Sequence, residues 1–245
     1  MEISKRQEEI LALLNEHGFL TVDALAEMTF ISPSSIRRDL ARLQALSLIK
    51  RSRGGASAFH TESQFVPLNS RMTQRISEKR RIAKLASRLL QDGQSIMLDG
   101  SSTAGYMIPY IAKHRDVTVF TNNLNTALNA IHHGISTHCT GGYSYERSAV
   151  LSGNHAYRAV AEVLPDLLFF SSHCLGEDGV ISEPISEENY IRQLMIENAR
   201  TRVFLCDSGK FGKRSLYQLT TLDQIDICVF DKPFPSLRTS CKILL

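Results

Sequence analysis

The sequence predicts an α/β chain in two parts, and three observations predict it. Residues 1–57 read as three short amphipathic helices closed by a basic, glycine-ended hairpin. Residues 58–70 lose all periodicity, and beyond Asp92-Gly93 short apolar strands interleave with helices, the pattern of a largely parallel sheet. The 245 residues leave room for a small first domain, a linker and an α/β domain over 71–245 that can bury a full core without staples.

Residues 4–16 form the first helix, with Ile10, Leu11 and Leu14 on one face and Gly18 ending it. Thr21 caps a second, Val22–Met28. The third begins at Ser32, whose side chain can accept a first-turn amide, with Pro33 where its missing N–H costs nothing. Ile36, Leu40 and Leu43 face a core, which leaves Ser34, Arg37, Arg38 and Ala41 together on the opposite face. Small residues let such a helix enter a major groove, and arginine forks grip guanine edges or phosphates. Leu48 and Ile49 anchor a short strand, and Lys50, Arg51 and Arg53 precede the Gly54-Gly55 turn, a wing able to carry cations to a DNA backbone. Residues 32–57 carry a net +5 and residues 1–31 a net −4, so the basic charge is focused on this helix and wing. The whole chain is only +3, too mild for a nonspecific nucleic-acid scaffold.

The stretch from Ala56 to about Ser70 reads as a linker. A helix over Arg71–Leu90 follows, with Ile76, Ile82, Leu85, Ala86 and Leu89 as its apolar set. Its basic face, which includes Lys79, suits DNA, a phosphorylated ligand or plain solvent. Strands are expected at Gln94–Asp99, Val117–Phe120, Thr137–Thr140, Leu167–Phe170, Val203–Cys206 and Ile227–Phe230. Helices are expected at Ser102–Ala112, Leu124–His133, Ala156–Leu164 and Glu187–Ala199. The five cysteines are odd in number and widely spaced, and Cys139, Cys206 and Cys228 lie in strand-like runs, so core thiols rather than disulfides or zinc ligands are expected. His132, His133 and His138 lack partners at ligand spacing, so no metal is expected. With no long apolar run and a polar start, the expectation is a cytoplasmic protein.

Three loops fall at strand carboxyl ends, where open α/β sheets bind ligands. They are Asp99-Gly100-Ser101-Ser102-Thr103, Thr121-Asn122-Asn123, and Cys206–Gly212 with Asp207, Ser208 and Lys210. Hydroxyls and a helix start can cradle a phosphate, and the lysine can neutralise one, which points to a phosphorylated sugar or polyol. Helix capping explains either of the first two loops equally well. The chain has neither G-x-G-x-x-G nor G-x-x-x-x-G-K-[ST], so no nucleotide cofactor is expected.

The stretches ISPSSIRRDLARLQ, KRSRGGA, ISEKRRIAKLASRLLQDGQSIMLDGSSTA, TNNLNTA, Gly141-Gly142, LGEDG, QLMIENAR and DSGKFG occur in order and resemble the DeoR family of bacterial sugar-metabolism regulators up to about Asp231. The resemblance implies a winged helix-turn-helix domain followed by an α/β sensor domain related to ribose-5-phosphate isomerase and coenzyme A transferases. It implies a homo-oligomeric repressor, dimer or tetramer, that binds double-stranded operator DNA under control of a phosphorylated sugar. Carried over, Ser32, Ser34, Ser35, Arg37 and Arg38 fall on the DNA-reading helix, and Arg51 and Arg53 on the wing. Lys79, Asp99, Gly100, Ser101, Ser102, Thr103, Thr121, Asn122, Gly142, Asp207 and Lys210 fall on the effector pocket, and Arg71 on the linker helix where effector response is also placed. Ser35, Ser47 and Arg53 replace the usual threonine, glycine and histidine, and Glu177 adds a carboxylate where the family more often has G-A-D-G. The tail Lys232–Leu245 matches nothing in that pattern. The rival function is a sugar-phosphate isomerase with an appended DNA-binding domain, using Glu177, Asp178 and Glu183 as acid and base. Otherwise no catalytic residue is expected.

Overall fold

The computed structural model describes residues 3–46, 48–58, 68–144 and 149–245, so Ser47 and most of the expected linker lie outside the described residues. The chain divides into two compact units, Met1–Gln74 and Arg75–Leu245.

The first unit runs α1 (Lys5–His17), β1 (Phe19–Thr21), α2 (Val22–Thr29), α3 (Pro33–Ala45), β2 (Ile49–Ser52), β3 (Gly55–Ala58) and α4 (Leu68–Thr73). Local chemistry starts each of the first three helices. Ser4 and Gln7 form a reciprocal capping box on α1, Thr21 accepts from the Ala24 amide, and Ser32 accepts from the Ser35 amide ahead of Pro33. Ile10, Leu14, Leu25, Ile36, Leu40 and Leu43 are fully buried between these helices, each side chain contributing about 1.5–3 kcal/mol. The wing is a three-stranded antiparallel sheet in the order β1-β3-β2. Ala56–Ala58, expected as linker, is therefore strand, because Ala56 and Ser57 pair with β1 and β2 on either side and Ala58 with Ile49 of β2. Gly55 is required there, since a Cβ would collide with the Leu20 carbonyl.

The second unit contains α5 (Ile76–Ala86), β4 (Ser95–Leu98), α6 (Ser102–Gly105), α7 (Ile108–Ile111), β5 (Thr118–Thr121), α8 (Leu124–His132) and β6 (Ser136–Cys139). It continues through β7 (Tyr143–Ser144), β8 (Leu151–Ser152), α9 (Asn154–Ala161), β9 (Leu167–Phe170), β10 (Cys174–Leu175), β11 (Val180–Glu183) and α10 (Ser186–Asn198). It closes with β12 (Thr201–Cys206), β13 (Tyr217–Thr221), β14 (Ile227–Phe230) and β15 (Lys242–Leu244). Seven strands form one parallel sheet in the order β15-β14-β12-β9-β4-β5-β6. Alternate residues feed two cores: Ile96, Leu98 and Phe169 pack with Ile82 and Ile108 on one face, while Met97, Leu168 and Phe170 pack with Val160 and Met195 on the other.

Several sequence expectations are corrected. The helix expected over 71–90 is broken at Gln74-Arg75, where Arg75 takes a left-handed conformation, φ 50°, at a backbone cost of about 1–2 kcal/mol. Its guanidinium meets Asp207 at 2.7 Å and Glu78 at 3.1 Å, which offsets that cost. Lys79 is buried rather than part of a solvated face, while Ile76 is exposed. The helix expected over 102–112 is two short ones, α6 and α7. Cys139 is exposed, as the last residue of the edge strand β6. The tail adds β15, parallel to β14.

Candidate nucleic-acid interface and ligand crevice

On the first unit, the residues that sequence assigns to the two faces of α3 separate as periodicity requires. Ile36, Leu40 and Leu43 are buried, and Ser34, Arg37, Arg38 and Ala41 are exposed. Ser32 Oγ lies 3.1 Å from Ser34 Oγ and donates to Ser35 Oγ at 3.0 Å, and Arg38 Nη2 donates to that same Ser35 hydroxyl at 3.3 Å. The serines thus hold Arg38 against its own helix face. Lys50, Arg51 and Arg53 are exposed on the wing. Asp39, which sequence reasoning counted only as a charge, is buried on the core side of α3. It accepts Arg6 Nε at 2.7 Å, Arg6 Nη2 at 3.0 Å and Gln7 Nε2 at 3.0 Å. Because Gln7 also closes the α1 capping box, one network fixes α3 against the start of α1.

On the second unit, the parallel sheet places one polar residue just beyond each of five neighbouring strands. In spatial order they are Asp231 after β14, Asp207 after β12, Ser171 after β9, Asp99 after β4 and Asn122 after β5. Asp99 Oδ1 accepts the amide and hydroxyl of Ser101 at 3.1 and 2.5 Å, and its Oδ2 accepts Arg192 Nε at 2.7 Å and the Ser171 amide at 3.4 Å. With four donors already on it, Asp99 organises the loop through Ser101, which in turn caps α6 at Ala104. Thr121 Oγ1 accepts the Asn123 amide, and Asn123 both caps α8 and donates to the Gly100 carbonyl. Asn122 Nδ2 donates to the Leu151 carbonyl, whereas Asn122 Oδ1 and Thr103 Oγ1 are buried with no hydrogen-bond partner among the described residues. Ser102 is buried beside Thr103 at the start of α6.

Charge concentrates at the β12 tip. Asp207 Oδ1 accepts Arg75 Nε at 2.7 Å and the Gly209 amide at 3.1 Å, and Lys210 Nζ stands 3.7 Å from Oδ2. Burial works to raise the Asp207 carboxyl, but Lys210, Arg75, Lys79 and the Gly209 amide together hold it below the ordinary carboxylate range. Lys210 Nζ also donates to Ser171 Oγ at 2.7 Å, joining the β12 and β9 tips. Gly142 sits where a Cβ would strike the Ser152 carbonyl, and its φ of +112° also disfavours a side chain. It lets the chain before β7 pass close to the Ser152 carbonyl of β8. Arg71 lies on α4 and belongs to the first unit.

Sequence reasoning missed Arg192, although it meets three carboxylates. Fully buried on α10, it meets Asp99, Glu183 at 2.9 Å and Glu188 at 3.7 Å. The carboxylates of the rival reading are dispersed. Glu183 pairs with Arg192 and accepts the His173 amide, Asp178 pairs with Arg214, and Glu177 accepts Ser236 Oγ at 3.2 Å. Asp99, Gly100, Asn122, Val150, Glu188, Ile191, Arg192 and Met195 line a narrow crevice at the strand tips. Along α9 and α10 a separate cavity is lined by Asn154, His155, Tyr157, Arg158 and Tyr190. Among the described residues no helix is long and apolar enough to cross a membrane.

Two family models match the chain, a DeoR-like helix-turn-helix domain over residues 6–62 and a DeoR C terminal sensor domain over residues 74–232. The chain is 31% identical to the HTH-type transcriptional regulator GolR of Listeria innocua serovar 6a, over 93% of this chain and 90% of that one. It is 28% identical to a putative aga operon transcriptional repressor of Escherichia coli O157:H7, over 95% and 88% of the two chains. With the glycerol-3-phosphate regulon repressor of Escherichia coli K12 it shares 26% identity over 96% and 93%. Among solved structures, ribose 5-phosphate isomerase A of Methanocaldococcus jannaschii overlays 54% of this chain and 53% of its own at a TM-score of 0.41 and 18% identity.

Proposed function

The chain belongs to the DeoR family of DNA-binding transcriptional regulators, and from that premise we propose that it represses a sugar-metabolism operon and that a phosphorylated sugar on the second unit changes its grip on the operator. The observation that carries the reading is the two-faced α3, with Arg37 and Arg38 exposed beside small residues and three wing cations following. In this reading Ser32, Ser34, Ser35, Arg37 and Arg38 meet the major groove while Arg51 and Arg53 meet phosphates. Copies paired in a homo-oligomer read a repeated half-site.

The effector lies along the strand tips. Lys79 and Lys210 supply positive charge, Ser101, Ser102, Thr103, Thr121 and Asn122 supply polar groups, and the buried unpaired Asn122 Oδ1 and Thr103 Oγ1 are satisfied by ligand hydroxyls or amides drawn in with them. Asp99, Gly100, Gly142 and Asp207 shape those loops, and Arg71 takes part in the response. Ligand control requires unequal ligand affinity in the two DNA-binding states. The chain is no enzyme in this reading, which the separate engagement of Glu177, Asp178 and Glu183 supports.

The test is selection of bound duplexes from fragmented genomic DNA at physiological salt, with and without a pool of sugar phosphates. Enrichment of a repeated half-site that the pool weakens or strengthens is the expected result. Sequence-blind binding that only salt removes would overturn the regulator reading, and turnover of pentose or hexose phosphates would replace it with the isomerase.

A further inference from the structure

Residues 231–245 lie almost wholly beyond the matched sensor-domain model and run as a strap over the second unit. After β14 the strap lays Phe234 flat on Phe211, with ring centroids 4.4 Å apart and planes within 2°. Phe211 follows Lys210 directly. Ser236 then donates to Glu177, and Phe234, Leu237 and Cys241 pack against the core. The strap finally returns as β15 on the free edge of β14, with Cys228 opposite Ile243. That path brings Cys241 Sγ to 2.9 Å from Cys228 Sγ, closer than two unbonded sulfurs ordinarily rest. Cys139 is exposed on the opposite edge strand, and Cys174 and Cys206 are buried.

We propose that Cys228 and Cys241 are a reversible disulfide site that ties the strap to the sheet. The sulfurs need to close by only about 0.9 Å to bond. The two partners differ as an attacking and a resolving thiol should. Cys241 is partly exposed, and the hydrogen bond it shares with Cys228 holds it below the ordinary thiol range. That same bond, together with burial, pushes Cys228 up. With hydrogen peroxide as oxidant, the Cys241 thiolate attacks one peroxide oxygen, the O–O bond breaks and hydroxide leaves, giving a sulfenic acid. Cys228 sulfur then attacks the Cys241 sulfur, the S–S bond forms, the S–O bond breaks, and water carries away the remaining proton. Two thiols lose two protons and two electrons, and the peroxide becomes two waters. A dithiol reductant reverses the step. Oxidation thereby fixes Phe234 and Ser236 over the two loops that carry Lys210 and Glu177.

The test treats the full chain with hydrogen peroxide, blocks remaining thiols under denaturing conditions and maps peptides by mass. The expected product is a Cys228–Cys241 cross-linked peptide, two hydrogens lighter than the sum of its parts, lost with dithiothreitol and absent in Cys241→Ser. Oxidation should raise the Tm of the wild-type chain by roughly 5–10 °C, as closing a loop of this length implies, and slow amide exchange across 232–245 at least tenfold. Cys241→Ala, at a partly exposed position, should fold and show neither change. Recovery of Cys228 as a free thiol while Cys241 is oxidised to sulfinic acid, a cross-link to Cys206 instead, or strap exchange unchanged by oxidation would each overturn the proposal. The measurement reads neither DNA nor sugar phosphate, so its failure and that of the functional reading are distinguishable.

Discussion

Three side chains show how single residues divide the labour. Arg38 is exposed on α3 and hydrogen-bonded to Ser35 of the same helix, so in the proposed reading its removal takes away a base contact and leaves the core intact. Arg38→Ala should cost about 1–3 kcal/mol of discrimination between operator and mismatched duplex with Tm unchanged; competition binding against single-mismatch sites measures it, and full selectivity would remove Arg38 from the interface. Lys210 bridges two strand tips through Ser171 and Asp207. Lys210→Ala should retain operator binding and lose the response to the sugar-phosphate pool, and a mutant that still responds would displace the effector from this loop. Arg192 shows why such residues escape a reading of sequence. Its partner Asp99 lies 93 positions away, and nothing local marks an arginine on an amphipathic helix as buried. The single cation at Lys210 was legible because a glycine-bracketed loop after a strand is a local pattern.

At the scale of elements, legibility follows the range of the forces that set each one. α1 announces itself through the spacing of Ile10, Leu11 and Leu14, and α2 and α3 through Thr21, Ser32 and Pro33, whose effects reach three or four residues, whereas sequence reasoning missed the Ser4–Gln7 capping box of α1. The strands of the large sheet show as short apolar runs because helices cover most of them on both faces. By contrast β1, β7, β8, β10, β11 and β13 lie outside that sheet, and each is defined by antiparallel pairing to another segment. The break at Gln74-Arg75 is likewise fixed by Asp207, far along the chain. α3 owes its seating to Asp39 as well as to leucines. Asp39→Ala should destabilise the chain by about 1–3 kcal/mol, the cost of leaving Gln7 and Arg6 without their acceptor, moderated because Arg6 is half exposed and can hydrate. Denaturant unfolding checks this, and an unchanged midpoint would show that apolar packing alone seats the helix.

Across the whole molecule the decisive property is where charge is placed rather than how much there is. The chain is only +3, yet Arg37, Arg38, Lys50, Arg51 and Arg53 share one helix face and one wing. If the three wing cations Lys50, Arg51 and Arg53 meet phosphates, the logarithm of affinity should fall with the logarithm of salt at a slope of about −2.7 per winged unit. A titration from low to physiological salt measures it, and a slope near zero would mean that the wing never reaches the backbone. The parallel sheet has a consequence of a different kind. Asp231, Asp207, Ser171, Asp99 and Asn122 each stand one residue off adjacent strands, so they are spaced by backbone hydrogen bonding at about 4.8 Å and together span about 19 Å. The row is a ruler graduated in strand widths. Because Asp99 accepts the Ser171 amide and Lys210 joins Ser171 to Asp207, a change at one of these marks is felt at its neighbour.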